Sequence, residues 1–353
     1  MRRLDRYVGS TVFKSILLVL AVIVGLDVIS ALIDESDDIS ETYTFSLVLK
    51  YVMLTVPSRI YEFIPFAALI GALVGLGQLA TTSELVVMRG SGVSVGRLVW
   101  VTMKPALMLV LVAVLLGEYV APHLEQLAKS ERSIALSGDS GGMSRRGLWN
   151  REGNTFMHFN AVRTDTTLVG VMLLQFDDEG QLKSALRAQR AVFGGDHWTL
   201  QRVSRSEFTT WEATRSWYPT LRWDTNITPE LLGILALSPQ SLSARDLFVY
   251  SRYLNRQGLN ADDYQLALWN KLLQPLGVAS LVLVAISFIF GPLRSGTMGF
   301  RIFAGVVVGV IFRTSQDLLG PTSLVYGFSP AYAVLLPIVV CAVVGMVLLR
   351  RAS

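Results

Sequence analysis

Six long apolar runs punctuate the chain: Thr11–Ile33, Ser46–Ala80, Leu98–Ala121, Tyr264–Phe290, Ile302–Leu319 and Pro330–Leu349. Each can cover the roughly 20 residues that a helix needs to cross a hydrocarbon core, the second with length to spare, so six transmembrane helices are expected. Between the third and fourth runs the period changes. Thr155–Val162, Thr167–Phe176, Ser184–Phe193 and Trp217–Ile227 are short, rich in Val, Phe, Trp and Thr, and separated by turns such as Asp178-Glu179-Gly180 and Gly194-Gly195-Asp196. These read as strands. In the last of them Trp217, Leu221, Trp223 and Ile227 occupy alternate positions, which predicts a sheet with one face buried. The expected fold is therefore an α-helical membrane protein with six transmembrane helices and an all-β, sandwich or jelly-roll-like domain inserted between helices 3 and 4. Residues 1–121 hold helices 1–3, 122–262 the insert with flanking helices, and 263–353 helices 4–6. The flanking helices are Leu124–Ala135 and an amphipathic Ser243–Arg256, capped by Ser243 and stopped by Gly258.

The second and third runs are divided by a polar, glycine-dotted stretch, Thr82 to Arg97. Ser83 is placed to cap a short helix over about residues 82–92, and Gly90 and Gly92 to end it. A short helix between two spans is the part of such a chain best placed to meet another protein. The second run also carries Pro57 and Pro65, with Lys50, Arg59 and Glu62 in its far half. Gly71 and Gly75, like Gly305 and Gly309 in the fifth run, have the spacing that lets a neighbouring helix approach closely.

Composition supports the membrane reading: 52% of residues are hydrophobic, only 16% are charged, and mean hydropathy is +0.47. Met1-Arg2-Arg3-Leu4-Asp5-Arg6 before the first run is similar to the start of a secretory signal, but no small-residue cleavage pattern follows. A retained span is expected. Arg2, Arg3, Arg6, Lys14, Arg89, Arg97, Lys104, Arg294, Arg301, Arg350 and Arg351 all fall to one side, whereas Asp34-Glu35-Ser36-Asp37-Asp38 and the loop near Tyr326 carry no cation. By the positive-inside rule both termini and the Thr82–Arg97 stretch are cytoplasmic, and the insert faces the opposite side. The net charge of +4 reflects this topology, so no nucleic-acid partner is expected.

Candidate chemistry is sparse. Gly138-Asp139-Ser140-Gly141-Gly142 matches the pentapeptide around the nucleophile of chymotrypsin-like serine proteases, but the only upstream histidine is His123, at the end of a span. A flexible turn is the better reading. His123, His158 and His197 are scattered and Cys341 is the only cysteine, so no metal site, disulfide or cofactor is expected. No Gly-x-x-x-x-Gly-Lys-Ser/Thr occurs, so ATP-driven work needs a partner. Arg313 falls near the middle of the fifth run, where Asp317 one turn on can neutralise it. Asp27 lies towards the far end of the first run. Lys50, Arg59, Lys129, Arg132 and Lys271 lie at the far ends of spans, and if they converge they form a basic rim suited to an amphiphile bearing phosphates. Scattered interfacial anchoring is the rival reading.

Ser83-Glu84-Leu85-Val86-Val87-Met88 with Gly90-Ser91-Gly92, Gly117-Glu118-Tyr119-Val120-Ala121-Pro122, Ser287-Phe288-Ile289-Phe290-Gly291-Pro292-Leu293-Arg294-Ser295 and Leu324-Val325-Tyr326-Gly327, taken together, resemble the LptF/LptG permeases of lipopolysaccharide export. Leu4-Asp5-Arg6-Tyr7 and Phe290-Gly291-Pro292-Leu293-Arg294-Ser295 are closer to the LptG branch. The resemblance covers the whole chain. It implies a permease subunit of an ABC transporter in the bacterial inner membrane, paired with LptF, driven by two LptB ATPase subunits, associated with LptC, and passing lipopolysaccharide towards the bridge protein LptA. It implies that Ser83, Glu84, Leu85, Val87, Met88 and Arg89 form the coupling helix at LptB. It implies that Lys129 and Arg132 face the lipid cavity. Arg59, Lys50, Lys271 and Arg313 are further phosphate candidates, and Asp27, Ala31, Gly305 and Gly309 are the candidates for a lateral gate. Where some relatives place a lysine near the far end of the first span, this chain has Ala31.

Overall fold

The computed structural model describes residues 2–137, 148–162, 167–209, 212–225, 227–229, 231–232, 237–256, 260–291 and 297–352. Ser140 with its glycine-rich surroundings, Gly258, and Arg294 in the 292–296 stretch lie outside them. The helices are α1 (Arg2–Ser36), α2 (Phe45–Thr81), α3 (Glu84–Gly90), α4 (Val95–Leu115), a π-turn (Leu116–Val120), α5 (Ala121–Ser137), α6 (Ala244–Arg256), α7 (Asp262–Phe290), α8 (Met298–Tyr326) and α9 (Pro330–Ala352). Six helical segments among the described residues are long and apolar enough to cross a membrane: Arg3–Ser36, Phe45–Thr81, Val95–Leu136, Asp262–Phe290, Met298–Tyr326 and Pro330–Arg351.

The chain divides into two compact units. One comprises Met1–Ile29, Val56–Val120 and Ser243–Ser353; the other comprises Ser30–Thr55 and Ala121–Leu242. The insert expected at 122–262 is thus cut differently, because α6 packs on α7 and belongs with the spans, while the ends of α1 and α2 belong with the strands.

In the helical unit, Leu69, Leu73, Leu76, Val278, Val282 and Ile286 form the centre of a continuous apolar core. Close approach is made possible by glycine. A Cβ on Gly71 would lie 2.5 Å from Ile16 Cα, and one on Gly75 3.0 Å from Val12 Cα, so α1 sits with its backbone against α2. Relieving such a clash requires main-chain movement, and overpacking of this kind costs about 1–3 kcal/mol and occasionally more. Gly71→Val is therefore expected to prevent recovery of a monodisperse protein. Gly25→Val, whose Cβ would meet nothing within 4 Å, is expected to behave as the parent in the same size-exclusion measurement. Prolines within the spans, among them Pro57, Pro65 and Pro105, are tolerated as they often are in membrane helices.

In the second unit the strands β1 (Leu148–Glu152), β2 (Thr155–Val162), β3 (Thr167–Phe176), β4 (Leu182–Phe193), β5 (Trp198–Phe208) and β6 (Ala213–Trp223) form one antiparallel sheet in sequence order. The insert is all-β as expected, with an order among the described strands simpler than the crossed connections of a jelly roll. Met157, Phe159, Leu168, Val171, Trp198, Leu200 and Val203 fill one side of it. Trp198 is fully buried and donates its indole N–H to the Ile227 carbonyl at 2.8 Å. The alternation expected across Trp217, Leu221, Trp223 and Ile227 is only half realised. Ile227 is buried and Trp223 packs 6.3 Å from the Trp198 ring, but Trp217 is 68% exposed with the Arg215 guanidinium 4.6 Å over its ring. Alternation tells which side chains share a face; β6 is the last strand, and nothing in its own sequence covers that face.

Candidate functional site

The turn after α2 is built differently from a serine-capped helix. Ser83 adopts φ 61 and its side chain makes no cap bond. Its carbonyl instead accepts the Val86 and Val87 N–H groups, each at 3.1 Å. At the other end Gly92, with φ 88, takes the left-handed position, which glycine alone occupies without strain. The Val93 N–H reaches back to the Met88 carbonyl at 3.1 Å and the Gly92 N–H to Arg89 at 3.0 Å, the paired bonds of a Schellman end. Gly90 is the last helical residue, not the terminator. Val93 then packs on the core just before α4, where the Ser94 hydroxyl accepts the Arg97 N–H.

This frame fixes which side of α3 is available. Leu85 and Met88 are 4% and 6% exposed and anchor α3 in the helical core, whereas Val86 and Val87 are 55% and 69% exposed. Two of the residues expected at a partner contact therefore hold the helix in place, and Val86, absent from that set, joins Val87 on the open shoulder. The exposure of two adjacent valines in a polar turn was the missed signal. Glu84 lies beside them, accepting the Thr82 hydroxyl at 2.9 Å. Arg89 lies 5.8 Å from the Phe290 ring at the end of α7. Asp5 and Arg97 form a two-bond pair at 3.1 and 2.8 Å, joining the start of α1 to the start of α4. Arg301, 2% exposed, donates to the Gly77 carbonyl at 2.8 Å and holds α8 to α2.

The cations expected to form a phosphate rim are all engaged. In the helical unit, Arg59 pairs with Asp27. Lys271 donates to the Gly117 carbonyl at 3.1 Å and lies over the Tyr61 ring. Arg313 bridges Glu62 at 3.0 Å and Asp317 at 3.1 Å, so the neutralisation expected from Asp317 is present and shared. In the other unit, Lys50 meets Glu131 at 2.7 Å and Lys129 meets Glu125 at 2.9 Å. Arg132 is held by both Glu35 and Asp38 and stacks over Tyr51. The Tyr43 hydroxyl donates to Glu35 at 3.0 Å, and burial followed by that carboxylate pushes its pKa up. In this unit Glu35, Asp38, Glu125 and Glu131 complete the pairs. Sequence reading saw the first two only as an acidic loop.

Of the residues expected at a lateral gate, Asp27 is taken up by Arg59 and Ala31 is half-buried. Gly305 and Gly309 face α2 of the same chain, with Leu73 and Phe66 against them. No cluster of His, Cys, Asp and Glu among the described residues is arranged to hold a metal ion.

Comparison with known proteins bears on this geometry. The family described as "Lipopolysaccharide export system permease LptF/LptG" matches residues 6–351. The chain is 40% identical over 354 aligned residues to the lipopolysaccharide export system permease protein LptG of Escherichia coli K12, covering 99% of this chain and 98% of the relative. It is 36% identical over 351 aligned residues to the LptG protein of Haemophilus influenzae, with the same coverage of 99% and 98%.

Proposed function

The chain belongs to the LptF/LptG family of lipopolysaccharide export permeases, and from that premise we propose how its residues serve export. It is the transmembrane subunit of a lipopolysaccharide export system, a multi-pass membrane protein that is a permease rather than the ATPase. In our reading it pairs with LptF, two LptB subunits dock on the cytoplasmic side, LptC joins at the first span, and LptA receives the lipid beyond the β domain. Both termini are cytoplasmic and the β domain is periplasmic. ATP binding closes LptB, moves α3, and drives lipopolysaccharide out of the inner membrane.

One observation carries this reading: α3 presents Val86, Val87 and Glu84 on a shoulder anchored by buried Leu85 and Met88, in a chain with no phosphate loop of its own. Asp5 and Arg97 act as positioning residues for that shoulder. Asp5→Arg and Arg97→Asp are each expected to lower lipid-coupled ATP hydrolysis, because each leaves two like charges where the pair joins α1 to α4. The double swap should recover most of it, because the pair is restored in reverse. Equal losses in the singles and the double would remove the positioning role. The reading as a whole is tested by purifying the complex and identifying its ATPase and lipid by mass spectrometry. Phospholipid or lipoprotein in place of lipopolysaccharide would overturn it.

A further inference from the structure

Lys271 and the family-resemblance motif Gly117–Pro122 meet at a joint that involves the amphipathic helix α6. Glu118, in the π-turn, accepts the Ala244 N–H at 2.7 Å and the Arg245 N–H at 3.1 Å. A carboxylate on the first free N–H groups of a helix satisfies them and favours the positive end of its dipole. The Ser243 hydroxyl and Asp246 exchange bonds at the same end, 2.7 and 3.0 Å. The other face of α6 is buried on α7: Leu247, Tyr250 and Leu254 are each 7% exposed or less, and the Tyr250 ring lies 4.6 Å from Tyr264 in an edge contact. Burial pushes the Tyr250 hydroxyl pKa up. The helix is thus clamped at its start and seated along its length beside the first turns of a membrane span.

What remains outward is unusual. Arg245 and Arg252, seven residues apart and so on one line of the helix, are both exposed. Neither forms an ion pair among the described residues, unlike Lys50, Arg59, Lys129, Arg132 and Arg313. They are flanked by Phe248, Val249 and Tyr253, which are 55%, 52% and 38% exposed. Arginines bordered by aromatic and aliphatic side chains, on a helix of low overall hydrophobicity, match the headgroup layer of a bilayer, where guanidinium meets phosphate and the apolar flanks reach the acyl boundary. Water alone leaves Phe248 and Val249 exposed to solvent, and an acyl core alone strands the arginines.

We propose that the Arg245–Arg252 ridge of α6 is a membrane-surface site that binds the phosphate headgroups of anionic phospholipids, in the leaflet where α7 begins. It rests on the membrane reading of the chain and is independent of the cargo. Glu118 is its positioning residue.

The test uses the intact complex in nanodiscs of phosphatidylethanolamine and phosphatidylglycerol. Cys341→Ala removes the one native thiol, and Phe248→Cys carries an environment-sensitive fluorophore. Phosphatidylglycerol bearing a nitroxide near the headgroup is expected to quench it strongly, and a water-soluble nitroxide weakly. Arg245→Gln with Arg252→Gln should reduce the local enrichment of the labelled lipid by about five-fold per arginine, the scale for basic residues at an anionic surface. Arg245→Lys with Arg252→Lys should retain most of it. Quenching only by the aqueous nitroxide, by neither reagent because protein covers the site, or to the same extent after both glutamine changes would each overturn the proposal. So would loss of lipid quenching when lipopolysaccharide is added, which assigns the ridge to the cargo.

Discussion

Glu84→Lys is expected to strip the ATPase from the purified complex. In this structure Glu84 accepts the Thr82 hydroxyl beside two exposed valines, so the carboxylate is presented in a defined direction. On the proposed reading Glu84 meets a cation of the ATPase; reversing its charge leaves that cation facing its like, and the loss at a desolvated pair is about 2–5 kcal/mol. That corresponds to a roughly 30-fold to several-thousand-fold weakening. Glu84→Gln keeps an acceptor for Thr82 and should fall between. Val87→Asp, which places a charge on the open shoulder, should mimic the lysine change. Co-purification is the measurement, and undiminished ATPase recovery with lysine at position 84 would sink the coupling role of α3.

Arg132→Glu is expected to destabilise the protein before it informs on lipid. Arg132 is 21% exposed in its side chain and neutralises Glu35 and Asp38, which are 13% and 30% exposed. Removing it, and adding a third carboxylate, leaves largely buried negative charge unpaired, an effect of about 3–5 kcal/mol. On the usual scaling this lowers the melting temperature by roughly 10 °C. Arg132→Met should lie between parent and glutamate. A melting curve unchanged in Arg132→Glu would show that the network carries no stability. Lys129 is the better probe of lipid contact. Among the described residues Lys129 pairs with Glu125 four residues earlier, and Glu125 also accepts the Ser241 hydroxyl, so Lys129→Gln, which keeps a donor in place, should lower the melting temperature less than Arg132→Glu. A fall in lipopolysaccharide occupancy at constant stability then reports contact with the lipid.

Much of the scaffold was legible because its signals are local. Continuous apolar runs located six helices, and the β2 and β3 boundaries follow from alternation bounded by turns. β5 escaped because its pattern slips phase: Trp198 and Leu200 are buried, but Arg202, at φ 53, turns outward and Val203 takes the inner position. β1 is short, with a charged end, and offers no period to read. For the site, the polar break announced α3, yet residue type could not say that Leu85 and Met88 point inward. Ser83 was read from its propensity to cap, and the backbone used its carbonyl instead. The ion pairs were beyond reach for another reason. Arg132 and Glu35 lie 97 residues apart, and Arg59 and Asp27 32 apart, so no spacing rule joins them. A cation near the end of a span reads alike whether it awaits a phosphate or already holds a carboxylate.

The contact of α1 with α2 through Gly71 and Gly75 has a mechanical corollary. α2 runs into α3, α3 runs into α4 through the Val93 turn, and the Asp5–Arg97 pair returns from α4 to α1. These four helices therefore form a closed linkage rather than a lever on a free pivot. In a closed linkage no single joint rotates alone, so a thrust on the exposed valines of α3 must reappear as a tilt of α1, whose far end carries Asp27.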